Sequence, residues 1–114
     1  MNQSPLEIAG IAAAAAEDKK ARDVKTLQIK ELSIITDYFV ICSANSTTQV
    51  KAIADNIEEK LEEQDIRVLH REGMREGRWI LLDYGSVVVH VFQEDERTYY
   101  NLERLWGDAK TVEV

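Results

Sequence analysis

Residues 79 to 92, Trp79-Ile80-Leu81-Leu82-Asp83-Tyr84-Gly85-Ser86-Val87-Val88-Val89-His90-Val91-Phe92, decide how this chain folds. Two apolar runs flank a glycine step, which reads as a β-hairpin, yet the runs also carry Trp79, Asp83 and His90. With Tyr84-Gly85 as a two-residue loop, Asp83 faces Ser86, Leu81 faces Val88 and Trp79 faces His90. One face then holds Ile80, Leu82, Val87, Val89 and Val91 and is aliphatic throughout. The other collects Trp79, Leu81, Asp83, Ser86, Val88, His90 and Phe92. A three-residue loop would instead place the valines behind Trp79 and Asp83, and Tyr84 suits positive φ poorly. The aliphatic face predicts core; the mixed face is either core or a site.

Outside the hairpin, 114 residues suffice for one domain that folds without metal or crosslinks. A hydrophobic share of 45%, a charged share of 31% and one proline describe an ordinary globular chain with disorder confined to its ends. The net charge of −7 and pI near 4.8 disfavour direct nucleic-acid binding, which needs clustered Lys and Arg, and favour a basic protein partner. Asp55, Glu58, Glu59, Glu62, Glu63 and Asp65 carry much of the excess; they read as a solvated helix face or as a steering surface. A lone cysteine excludes an internal disulfide, Met1 to Pro5 lacks the basic start of a signal peptide, and no apolar stretch spans a bilayer. A cytoplasmic location is the expectation.

Leu6 to Ala21 has helical spacing with Pro5 in its first turn. Val24 to Ile29 and Asp37 to Ser43 read as strands, and Ser46 with Gln49 forms a capping box before Val50, Ile53, Ala54, Ile57 and Leu61. A strand from Ile66 to Arg71, the hairpin, and a helix from Glu94 to about Gly107 complete the order, and Gly107 to Val114 is expected as a frayed tail. The strand from Asp37, the capped helix and the strand from Ile66 make a crossover unit, while the first pair and the hairpin are antiparallel. The expected class is α/β: a single compact domain with a mixed sheet of about five strands packed with helices.

Catalytic groupings are sparse. Asp37 and Asp83 stand at strand ends without the paired carboxylates of metal-dependent nucleotidyl transfer, although Gly85-Ser86 is present. His70, His90 and Cys42 lack zinc-site spacing, and Cys42 reads as a core residue. Ser43 and Ser46 lack a nucleophile elbow, and Gly73 and Gly77 do not make a phosphate loop. No cofactor is expected. Tyr99, Leu102 and Trp106 form a helical stripe read as core, with Tyr100, Glu103 and Arg97 beside it. Trp79 is read as core or as an interface anchor.

The run from Trp79 to Phe92, followed by Arg97, Tyr100 and Leu102-Glu103-x-Leu105-Trp106, resembles the ribosomal silencing factor family, also called Iojap-like. Ile35-Thr36-Asp37-Tyr38-Phe39-Val40-Ile41 and the helix start from Ser46 to Asp55 resemble it too, so the likeness covers about residues 6 to 106. The resemblance implies a nucleotidyltransferase-like sheet without transferase activity. It further implies docking on ribosomal protein L fourteen of the large subunit, which obstructs subunit joining when nutrients are short, and a homodimer. Carried onto this chain, it points to Trp79, Asp83, His90, Tyr100 and Glu103 as contacts, with Leu81 and Tyr84 beside them. The competing expectation is a divergent phosphate-handling enzyme built on Asp37, Asp83 and Gly85-Ser86.

Overall fold

In the computed structural model, which describes residues 3–114, the hairpin forms as β4 (Trp79–Asp83) and β5 (Val87–Gln93). Its register lies two residues from the expected one: Trp79 faces Phe92, Leu81 faces His90 and Asp83 faces Val88. Tyr84 stays in the ladder, its N–H donating to the Val87 carbonyl at 2.9 Å, so the loop is Gly85-Ser86 and Gly85 takes φ 84°. Glycine at the first central position suits a hairpin turn, whereas Tyr84 there would have been strained. A two-residue shift preserves the faces, and Ile80, Leu82, Val87, Val89 and Val91 are all fully buried.

The remaining elements are α1 (Pro5–Asp18), β1 (Arg22–Gln28), β2 (Tyr38–Ala44), α2 (Thr47–Glu62), β3 (His70–Glu72), α3 (Glu94–Tyr100), α4 (Leu102–Leu105) and β6 (Lys110–Val112). The sheet has the order β3-β4-β5-β2-β1-β6, six strands rather than five. β2 and β5 are parallel and every other pair is antiparallel. The expected crossover therefore exists in direction only, because β4 and β5 come to lie between β2 and β3. The strand expected from Ile66 begins only at His70; Ile66 and Val68 pack on the core instead.

Gly107 to Val114 is not a frayed tail. Thr26, Leu27 and Gln28 pair with Val112, Thr111 and Lys110, which covers the outer edge of β1 while Val112 packs on the core. The last helix also breaks, at Asn101, whose φ of 48° is one asparagine tolerates. The break splits the expected stripe: Tyr99 points outward at 80% exposure, while Leu102 and Trp106 pack beneath on the sheet.

α1 starts at a full capping box, Ser4 with Glu7, that the sequence reading passed over. At α2 only half of the expected box forms. The Ser46 hydroxyl accepts from the Gln49 N–H at 3.1 Å, but the Gln49 side chain donates to the Lys19 carbonyl. Both helices cover one face of the sheet, tied by the Asn56 side-chain amide donating to the Ala15 carbonyl at 2.8 Å. Glu58 departs from the solvated-face reading, being buried and held by the Arg71 guanidinium at 3.0 Å, while Asp55, Glu59, Glu62 and Glu63 are exposed. On the opposite face the segment from α4 to β6 covers β1 and β2 with Leu102, Trp106 and Ala109, leaving the β4 side open. Among the described residues no helix is long and apolar enough to cross a membrane.

Candidate functional site

The open side of the sheet carries Trp79, Leu81 and Asp83 from β4 beside Phe92, His90 and Val88 from β5. His70 and Glu72 of β3 stand opposite Asp83 and Leu81 and form its rim, paired to each other at 2.7 Å. Trp79 is half-buried. Its ring stacks on Phe92 at 4.8 Å between centroids and meets Tyr100 at 4.9 Å, so α3 completes an aromatic platform begun by the strands.

Beneath the platform lies His90, 4% exposed. The Trp79 indole Nε1–H donates to His90 Nδ1 at 3.1 Å, which requires the neutral ring with its proton on Nε2. Burial agrees in direction, pulling the His90 pKa down to about 4. At neutral pH His90 thus holds Trp79 in place as an uncharged acceptor. The Asp83 carboxylate accepts the Gly85 N–H at 2.8 Å and so closes the hairpin turn from the edge of the same face.

Two of the expected contacts lie elsewhere. Tyr84 alternates to the helix side, 7% exposed, where its hydroxyl has no partner among the described residues. Tyr84→Phe should therefore leave stability unchanged or raise it by about 1 kcal/mol in urea unfolding, since removing an orphaned hydroxyl relieves its desolvation; a clear loss would show that the hydroxyl is bonded. Glu103 is engaged internally: Arg97 Nε–H and Nη2–H donate to its two oxygens at 3.1 and 3.0 Å, and Lys25 Nζ lies 3.7 Å away. The Arg97 hydrogen bond, against some burial, holds the Glu103 carboxyl below the usual range. Arg97 Nη1–H also donates to Ser43 Oγ at 3.0 Å, so this fork clamps the α3–α4 break onto the sheet and positions Tyr100.

The sequence reading missed the face's second half. Phe39 sets its ring edge-on to His90 at 4.7 Å and to Trp106 at 5.5 Å. With Ile35, Thr36, Leu81 and Val88 these groups enclose a cavity of about 210 Å³ between the β1–β2 connection and β4–β5. Ile34 and Ile35, almost wholly exposed, extend its mouth. Alternation could have placed Phe39 on the same face as His90, but only with the β2–β5 pairing in hand.

Reactive chemistry is absent from the platform's own groups. Cys42 is fully buried, and desolvation, only partly opposed by Arg97, pushes its thiol up to about 12. Among the described residues no three His, Cys, Asp or Glu side chains converge as a metal site. A groove of five carboxylates around Arg71 lies along α2, on the helix-covered side. What the open face offers is aromatic and aliphatic area with a polar rim, an arrangement suited to contact.

Residues 2–114 match the family model described as "Ribosomal silencing factor during starvation". The chain is 51% identical over 114 residues to the ribosomal silencing factor RsfS of Bacillus subtilis (strain 168), covering 100% of this chain and 95% of the relative. A crystal structure of a Chromobacterium violaceum protein superposes with a TM-score of 0.90 at 36% identity, covering 92% of this chain and 88% of that one. A second, from Bacillus halodurans, gives 0.84 at 47% identity over 96% of this chain and 99% of that one. The chain belongs to the ribosomal silencing factor family.

Proposed function

We propose that the open aromatic face docks on the large ribosomal subunit, through ribosomal protein L fourteen, and sterically prevents the small subunit from joining. Translation is thereby repressed in the cytoplasm when nutrients are limited. The observation that carries this reading is the asymmetry of cover. One half of the sheet face is closed by the chain's own C-terminal segment, whereas Trp79, Leu81 and Tyr100 remain at the surface, continuous with Ile34 and Ile35. A contiguous apolar surface with a polar rim marks an interaction site. The net charge of −7 favours approach to a basic ribosomal protein, with the aromatic groups supplying short-range affinity.

On this reading the protein is a binding module and not an enzyme. His90 is committed to Trp79 and the Asp83 carboxylate to its own turn, so the groups that phosphate chemistry would recruit have structural work. The homodimer implied by the family resemblance belongs to the same reading; equilibrium sedimentation of the isolated protein checks it, and a monomer mass removes it.

Trp79→Ala is expected to weaken binding to isolated large subunits about thirtyfold, the equivalent of roughly 2 kcal/mol for an aromatic anchor. Subunit mixtures sedimented with the wild-type protein should show fewer joined ribosomes, and the variant should restore joining. Unchanged joining at saturating wild-type protein would sink the proposal. Thermal unfolding of Trp79→Ala separates lost contact from lost fold.

A further inference from the structure

We propose that the cavity beside His90 is a socket for one side chain of the docking partner, a side chain with an apolar stem and an uncharged oxygen at its tip. This rests on the docking reading above and specifies what the face takes up. The cavity measures about 210 Å³, and its walls include Phe39, Leu81, Val88 and Trp106. A dry cavity of roughly 150 Å³ already admits a benzene ring, so a single large side chain fits.

Two polar groups interrupt the apolar lining. Thr36 and His90 are 5% and 4% exposed, and Thr36 Oγ1 and His90 Nε2 have no partner among the described residues. His90 Nδ1 already accepts from Trp79, so Nε2 carries the ring proton and is a donor. Buried polar groups left unpaired are costly and uncommon, and two lining one cavity point to an acceptor that arrives from outside. A cation would find the ring N–H turned against it. A carboxylate would meet Asp83, which also lines the cavity. An uncharged oxygen, that of a glutamine, threonine or tyrosine side chain, matches both donors.

The occupant belongs to a protein because the apolar surface does not stop at the mouth. Ile34 and Ile35, at 105% and 83% exposure, stand outside the cavity, where a small molecule filling it would leave them in water.

Thr36→Val tests the socket with opposite signs in two measurements. Removal of an orphaned hydroxyl should raise the melting temperature of the free protein, while affinity for isolated large subunits falls about tenfold, the equivalent of one lost hydrogen bond. Val88→Met, which fills the cavity from its wall, should weaken binding too with the fold retained; if that variant fails to fold, Thr36→Val carries the test. Trp79→Ala, outside the cavity, reports on the docking face alone. Full affinity in Thr36→Val alongside weakened Trp79→Ala would keep the docking face and overturn the socket. Full affinity in both would remove the docking reading and the socket with it. A lowered melting temperature in Thr36→Val would show the hydroxyl bonded within the fold and overturn the socket on its own.

Discussion

Gly73→Ala is expected to destabilise the protein by about 4 kcal/mol, combining left-handed backbone strain with overpacking against a rigid neighbour. Gly73 has φ 81°, and a Cβ built there would lie 1.9 Å from the Trp79 carbonyl oxygen and 3.0 Å from its carbon. The obstacle is main chain, so no rotamer change relieves it. Relief would require moving β4 at Trp79 itself, away from Phe92 on β5 and from the Gln93 N–H that the neighbouring Arg78 carbonyl accepts at 2.8 Å. Gly85→Ala supplies the comparison. Its φ is equally left-handed at 84°, but the added Cβ meets only the Leu69 side chain at 3.4 Å, so about 1 kcal/mol is expected. Urea unfolding of both variants measures the difference. Equal costs would mean that the turn preceding β4 yields freely and that Trp79 is not fixed from its backbone.

The same loop shows where legibility in the sequence ended. Period-two alternation separated the two faces of the hairpin correctly, because a face assignment survives a two-residue register shift. The register itself depended on whether Tyr84 or Gly85 took positive φ, a choice decided by local backbone sterics. α1, α2 and the early strand pair were legible from apolar spacing and caps. β6 was not, since three exposed or half-exposed residues carry little pattern and form a strand only because β1 offers an unpaired edge.

At the site, Trp79, Asp83 and His90 were legible as residues that a pure core strand would not need. Tyr84 was placed on the wrong side by its proximity in sequence to Asp83. Glu103 looked available because its partner Arg97 lies across a helix break that only Asn101 announces. Phe39, Thr36 and Trp106 join the face through the parallel β2–β5 pairing, a contact of high sequence separation that no local pattern reports. The family resemblance supplied the function that these residues could not supply alone.

Acid should loosen the docking face through His90 before it reaches the structural carboxylates. The folded-state pKa of His90 is about 4 against 6.5 for the free side chain, so between those values the unfolded chain binds the extra proton and the folded one does not. Stability is therefore fully present above pH 6.5 and falls as pH drops toward 4, by about 3 kcal/mol in all and about 2 kcal/mol by pH 5. Glu103, whose pKa is lowered chiefly by the Arg97 hydrogen bond, loses its contribution only as pH falls below its ordinary value of 4.5, which separates the two groups. Protonation would also turn His90 Nδ1 from acceptor to donor and leave the Trp79 indole N–H without its partner, coupling lost stability to lost order on the platform. His90→Gln keeps an acceptor for Trp79 but cannot titrate, so its unfolding free energy should stay nearly flat from pH 6.5 to 5 where the wild type declines. Parallel declines in the two proteins would assign the acid sensitivity to other groups and show His90 able to take its proton without cost in the folded state.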